Sequence, residues 1–182
     1  MNEVKTLKKL LNENSILPIK TDSNNKRYYE LTEPKFDYSI KISNPPNDTI
    51  VLKCDSFPDT SNFFRGKSGE CKRADYIVFS ESENAVLIME LKYSKDSSSN
   101  KDIIAQLKGA KSILDYCKSI AASFLGNEDF LENYEHRYYK VLSVVQPRAF
   151  SDIKNKNHYK NDIPENARTI HGKYIPFSKL LA

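Results

Sequence analysis

Three cysteines, Cys54, Cys71 and Cys117, are all that this 182-residue chain contains, and they stand far apart with no C-x-x-C pair among them. That spacing argues against a zinc site of the usual kind. An odd, sparse count suits reduced thiols in the cytosol better than a disulfide framework. Nothing in the sequence puts a base beside any of them, so buried or half-buried thiols are expected, not catalytic ones. The three histidines, His136, His158 and His171, are equally scattered, and a lone histidine is more often structural or exposed than catalytic. No apolar run approaches the ~20 residues that a membrane helix needs. The opening residues, Met1-Asn-Glu-Val-Lys-Thr-Leu-Lys-Lys, are polar and lack a signal-peptide core. There are no internal repeats and no clear domain boundary. The expectation is one cytoplasmic domain over residues 1–182, with no membrane partner.

What the chain does have is enough apolar material for a core, 39%, and 29% charged residues, the balance of a globular protein with a wet surface. The net charge is +4, a mild excess that does not by itself imply nucleic acid. Its distribution is more informative. Arg65, Lys67, Lys72 and Arg73 stand against only Glu70, and Lys92, Lys95, Lys101, Lys108 and Lys111 stand against Asp96 and Asp102. Lysine clusters are usually solvated surface, but these two flank the most distinctive stretch of the chain and would draw a polyanion to it.

That stretch runs from Arg73 to Lys92. It reads as two strands, about Cys71–Ser80 and Ala85–Tyr93, joined by a polar turn over Ser80–Asn84. Side chains alternate along a strand. Val86, Ile88, Glu90 and Lys92 therefore share one face, and Leu87, Met89, Leu91 and Tyr93 the other. Both faces are apolar until the end, which describes a central strand covered on both sides with polar chemistry only at its C-terminal tip. Antiparallel pairing would bring Asp75 beside Glu90, so that two carboxylates and the Lys92 amine converge. Oxygen donors of this sort suit Mg2+, with Mn2+ as the alternative and waters completing the shell. The Leu91 backbone carbonyl is a candidate further ligand. Phosphodiester hydrolysis calls for such a metal and for a cation near the attacking water, a role Lys92 fits.

Around this hairpin the spacing predicts a short amphipathic helix over residues 3–13, with Val4, Leu7, Leu10 and Leu11 on one face. A mobile loop is expected near 21–27. Extended segments are expected at Tyr28–Thr32, Tyr38–Ile42 and Thr49–Cys54. The loop Asp55–Gly69 carries Phe63-Phe64-Arg65, a pairing that can clamp nucleic acid by stacking, though a phenylalanine pair more often closes a core edge, and the core reading is preferred. A polar connection over Ser94–Asn100 ends in capping residues. A long helix from about Lys101 to Leu125 follows, its stripe of Ile103, Leu107, Ala110, Leu114, Cys117, Ala121 and Phe124 stopping at Gly126. Gln106 lies in its first turns. His136–Val145 reads as a strand that the helix crossover allows to run parallel to its predecessor. Residues 151–166 form a lysine- and asparagine-rich loop expected to be mobile. Short strands at Arg168–Ile170 and Lys173–Ile175 and a last helical turn at Pro176–Leu181 end the chain.

Asp75, a fourteen-residue gap, then Glu90-Leu91-Lys92 resembles the motif of the PD-(D/E)XK nuclease superfamily, within a matching order of helix, three strands, long helix and further strand over about residues 49–145. The resemblance implies an α/β, restriction-endonuclease-like mixed sheet flanked by helices, with an α-β-β-β-α-β core. It implies that Asp75 and Glu90 bind the metal and that Lys92 is catalytic. The residue before the motif aspartate is often proline in that family and here is Ala74. Some members follow the second motif strand with a helical glutamine and a tyrosine four residues on. Gln106 matches the glutamine, but position 110 is alanine, so Gln106 enters only as a contact to substrate or to a metal-bound water, with Lys72, Arg73 and Lys108 beside it as substrate contacts. Some members add an acidic residue from an earlier element, for which Glu30, Glu33 and Glu70 are all available. The activity implied is an Mg2+-dependent endonuclease that prefers DNA to RNA and acts in bacterial restriction or anti-phage defence, with a homodimer or a partner protein supplying the target. Two rivals stand beside it. One is a catalytically silent nuclease-fold module that binds nucleic acid or a protein. The other is a regulatory subunit docking a partner through Lys154–Lys160.

Overall fold

The computed structural model describes residues 3–33, 37–93, 98–142 and 160–182. Helix α1 (Glu3–Leu10) is followed by the short strands β1 (Ile16–Leu17) and β2 (Lys20–Thr21), then β3 (Arg27–Glu33), β4 (Tyr38–Ser43) and β5 (Thr49–Lys53). The hairpin strands are β6 (Tyr76–Ser80) and β7 (Ala85–Lys92), and the long helix is α2 (Asn100–Leu125). The chain closes with β8 (Glu135–Leu142), β9 (Arg168–His171), β10 (Tyr174–Pro176) and α3 (Phe177–Leu181).

The strands form two mixed sheets, one of six in the order β1-β5-β6-β7-β8-β9 and one of four in the order β10-β4-β3-β2. Strands β5, β6 and β7 are antiparallel, and β8 then runs parallel to β7 from Ala85↔Glu135 to Lys92↔Leu142. A parallel return needs a long crossover, and α2 supplies it. The helix is closed at both ends by local chemistry. Ser99 accepts from the Asp102 N–H in a reciprocal capping box, and Gly126 takes the left-handed conformation at φ 62° that glycine adopts without a Cβ clash.

Strand β7 is central, and its two faces enter two different cores. Val86 and Ile88 pack with Ile103, Leu107, Ala110 and Leu114 of α2 and with Leu7 of α1. Leu87, Met89 and Leu91 pack with Leu31, Ile40 and Ile42 of the smaller sheet and with Ile175 and Leu180. Each such buried aliphatic side chain contributes roughly 1.5–3 kcal/mol relative to exposure. The apolar-on-both-faces expectation therefore holds, and the second cover is a sheet.

Several expected boundaries move. Between β2 and β3, residues 22–26 form a hydrogen-bonded turn. The Asp22 carboxylate accepts from the N–H groups of Asn24 and Lys26, each at 2.8 Å, and Asn25 sits at φ 58°. The first hairpin strand begins at Tyr76, not Cys71, because Lys72 N–H turns back to Gly69 C=O at 2.9 Å and Arg73 donates to the Pro58 carbonyl at 3.0 Å. The Phe63-Phe64 pair closes no core: Phe63 is 85% exposed and Phe64 47%. Within the 151–166 loop, 151–159 lie outside the described residues, as does most of the Lys154–Lys160 segment. Residues 160–166 lie against the fold, with Tyr138 N–H donating to Asn161 C=O at 2.9 Å and Glu165 paired to Lys108 at 2.5 Å. Residues 143–145 of the strand expected over His136–Val145 also lie outside the described residues. Among the described residues, no helix is long and apolar enough to cross a membrane.

Candidate active site at the open end of the hairpin

The last ladder pair between β6 and β7 at the open end is Tyr76↔Met89, so one further step of the register sets Asp75 opposite Glu90. Strand β7 outruns β6 there, and the Leu91 N–H finds no backbone acceptor on the β6 side. Asp75 fills the gap: its Oδ2 accepts from the Leu91 N–H at 2.6 Å. In an extended chain a residue's N–H and C=O point to the same side, so the Leu91 carbonyl is directed toward Asp75 as well. The Asp75 main chain is fixed in turn by Cys54 N–H donating to its carbonyl at 2.9 Å.

Glu90 is almost fully enclosed, 1% exposed. Its Oε1 lies 2.8 Å from the Lys92 ammonium, the same-face neighbour that strand alternation predicts. Its Oε2 is buried with no hydrogen-bond partner. Burial pushes the Glu90 carboxyl well above the usual carboxylate range, and the Asp75 charge pushes it further, while Lys92 and the Gln106 amide pull it down. Asp75 is also raised, by burial first; the Leu91 N–H and Lys92 act against that, and the charges of Glu33 and Asp55 add to it. Two enclosed carboxylates thus share a single lysine, and one carboxylate oxygen has no partner. A divalent cation between them would relieve both the repulsion and the desolvation.

The residues fit such an ion as a sparse oxygen site. Among the described residues no group of three or more His, Cys, Asp and Glu side chains could hold a metal. An ion here would have only Asp75, Glu90 and the Leu91 carbonyl as protein donors and water for the rest, the sparse kind of shell in which Mg2+ is commonly held.

Of the three candidate extra acids, Glu30 is committed to Lys20 at 2.6 Å and to the Ser39 hydroxyl at 3.2 Å, and Glu70 accepts from the Ser68 N–H at 2.7 Å. Glu33, at the end of β3, is the one whose charge acts on Asp75. Asp55 does so too and was missed by sequence reasoning. The available signal was its place two residues after β5, the strand that pairs with β6 through Lys53↔Tyr76.

Gln106, expected as a substrate or metal-water contact, instead hydrogen-bonds the Glu90 carboxylate. The cations expected on the substrate path are otherwise engaged. Lys72 pairs with Asp102, one helical turn before Gln106, Arg73 holds the Pro58 carbonyl, and Lys108 pairs with Glu165. These are exposed contacts of the kind that contributes little to stability, so they form a rim whose cations can exchange partners. Neither family models, curated proteins nor solved structures yield a match to this chain.

Proposed function

We propose that this chain is an Mg2+-dependent endonuclease with a restriction-endonuclease-like core, of the PD-(D/E)XK kind, hydrolysing phosphodiester bonds in DNA in preference to RNA. The observation that carries the reading is the Leu91 N–H to Asp75 contact at 2.6 Å, which joins the two halves of the motif at one end of a buried sheet. The order α1, β5-β6-β7, α2, β8, with β8 parallel to β7, supports the same fold assignment.

Asp75 and Glu90, with the Leu91 carbonyl, would hold the ion, which supplies Lewis-acid polarisation of the phosphate and of a water. The chain's own groups do the rest. The Leu91 N–H locks one oxygen of Asp75 and leaves the other for coordination. Lys92, positioned by Glu90, offsets charge on the scissile phosphate and orients the attacking water. Gln106 keeps Glu90 turned toward the site. Attack in line with the leaving oxygen leaves a 5′-phosphate. Target selection falls to the loops at this end, to a second copy, or to a partner protein, in the manner of small nucleases of bacterial restriction or anti-phage defence.

The test is incubation of the purified protein with plasmid, linear DNA and RNA in Mg2+, Mn2+ or EDTA. Metal-dependent cleavage that disappears in Asp75→Ala, Glu90→Ala and Lys92→Ala supports the proposal. The second reading, a silent module that binds without cutting, is favoured by the direct Lys92–Glu90 pair and the small number of acidic ligands. It would be established by binding that survives all three substitutions, with no cleavage under any condition.

A further inference from the structure

The chain between β5 and β6 is a loop whose neck is the candidate active site. Cys54 N–H donates to the Asp75 carbonyl at 2.9 Å, so the loop leaves and re-enters the fold at the metal-binding carboxylate. Its stem is tied to α2. Phe57 meets Tyr116 edge-on at 5.9 Å, Lys72 pairs with Asp102, and Gly109 lies so close to the Lys72 carbonyl that a Cβ there would stand 1.6 Å from it. Its crown is ordered as well. The N–H groups of Phe63 and Phe64 both donate to Thr60 C=O at 2.9 Å, and Asp59 accepts from the Ser61 N–H and hydroxyl, each at 2.9 Å.

An ordered crown of this kind ordinarily turns its apolar side chains inward. This one does the opposite. The rings of Phe63 and Phe64 form an edge-to-face pair at 4.9 Å and stand in solvent, flanked by Arg65 and Lys67. Among the described residues neither cation is ion-paired, while Asp59 and Glu70, the acids on either side of the crown, are spent on backbone N–H groups at Ser61 and Ser68. Exposed rings beside unpaired cations suit a ligand with flat apolar faces on an anionic backbone, and nucleic-acid bases that have left the stack are that ligand. A paired duplex offers its phosphates to Arg65 and Lys67 but no base face to the rings.

We propose that the Phe63–Phe64 crown stacks unpaired bases, and that the substrate is therefore a strand with single-stranded character (a flap, bubble, end or loop) led from the crown to Asp75. This rests on the nuclease reading for its direction, but its test is independent of cleavage. Wild-type protein in EDTA is titrated with a single-stranded oligonucleotide carrying 2-aminopurine and with the same sequence fully paired, both at low salt.

The Phe63→Ala/Phe64→Ala double variant is expected to lose about ten- to a hundredfold in single-strand affinity and the 2-aminopurine quenching, with duplex affinity within about threefold. Phe63→Trp/Phe64→Trp is expected to restore both. Arg65→Ala/Lys67→Ala weakens both ligands and flattens the salt dependence by up to two phosphate contacts. Equal losses for single strand and duplex, no loss, or no single-strand binding by the wild type overturns the proposal. Because both rings are solvent-exposed, an unchanged melting temperature is expected and confirms that the variant is folded. Metal-dependent cleavage by the wild type, run in parallel, shows separately whether the nuclease reading stands.

Discussion

The β6–β7 hairpin has two ends, and both bury carboxylate oxygens without partners. At the open end the oxygen is Glu90 Oε2; at the turn end Glu81 Oε2, Glu3 Oε2 and the Tyr134 hydroxyl also lack a close partner, although the Asn127 amide and the Leu131 N–H act on the Glu3 carboxyl. Burial and Glu81 raise the Glu3 carboxyl, and burial with Glu81, Glu3 and Asp48 pushes the Tyr134 phenol up to about 12. A buried orphan oxygen is thus not enough to mark a site. The difference lies in what converges on it. At the open end a lysine, a glutamine and a strand N–H are all aimed at the two carboxylates. At the turn end, among the described residues, no lysine or arginine pairs with Glu3 or Glu81, and water or a shared proton is a sufficient partner there. Under the proposed function, the contrast separates a structural end of the sheet from a chemical one.

The strongest way to break that contrast is to neutralise each end in turn. Asp75→Asn, Glu90→Gln and Lys92→Met are each expected to lower kcat/KM for DNA cleavage by about a thousandfold or more, roughly 4 kcal/mol of transition-state stabilisation. Glu3→Gln and Glu81→Gln are expected to leave it within about twofold. Gel-based cleavage rates decide the matter, and a loss at the turn end comparable to that at the open end would erase the distinction.

A second perturbation acts on packing. Gly109→Ala drives a methyl into the Lys72 carbonyl, which either unseats the loop stem or displaces α2. A destabilisation of about 1–3 kcal/mol is expected, read as a fall in Tm of several degrees. Substrate affinity should fall with it, since the loop and Asp75 share one neck. An alanine tolerated at no cost would show that the stem is looser than its contacts imply.

Much of this contrast was legible in the sequence, and the rest was hidden for physical reasons. The Glu90–Lys92 pair follows from period-two alternation alone. The Asp75–Glu90 register follows once the turn is placed at residues 81–84, where Asn84, at φ 46°, donates to the Glu81 carbonyl at 3.2 Å. The capped α2 and the parallel β8 follow from helical periodicity and crossover length. The four-stranded sheet was not legible as a unit, because it joins β4 to β10 through Ile42↔Ile175, and pairing at that separation leaves no local signature. That Glu33, and not Glu30 or Glu70, acts on the Asp75 charge was hidden for the same reason, as its position depends on that sheet. Neither could the partners of Lys72 and Lys108, which lie far along the chain. The exposed Phe63–Phe64 pair ran against the ordinary rule that phenylalanine is buried, and such departures mark places where function competes with packing.

The two ends also differ in how their stability responds to pH, and the sign can be worked out. The carboxyls of Asp75 and Glu90 are raised above their unfolded values. Their contribution to stability is therefore fully present below the ordinary carboxylate range and is lost as pH rises through the raised values. In metal-free protein Tm should fall across that window. Mg2+ should restore it, with binding that tightens as pH rises and releases protons, because only the ionised pair coordinates. Asp75→Asn keeps an acceptor for the Leu91 N–H and removes one buried charge. It should raise metal-free stability by on the order of 1 kcal/mol at alkaline pH and abolish the Mg2+ effect, trading activity for stability as a preorganised site does. Calorimetry from acid to alkaline pH, with and without Mg2+, makes the comparison.

The smallest expected effect is at the turn end. Glu3 is raised in the same direction, so Glu3→Gln should also stabilise the protein as pH rises above the carboxylate range, but the residue is only half-buried and screening leaves only a few tenths of a kcal/mol. Mg2+ should not change that increment, since among the described residues no lysine or arginine pairs with the carboxylates there, although the Leu131 N–H and the Asn127 amide act on Glu3. An increment that depends on Mg2+ would mean that the turn end binds the ion too, and that the lysine beside Glu90 is not what distinguishes the chemical end of the sheet.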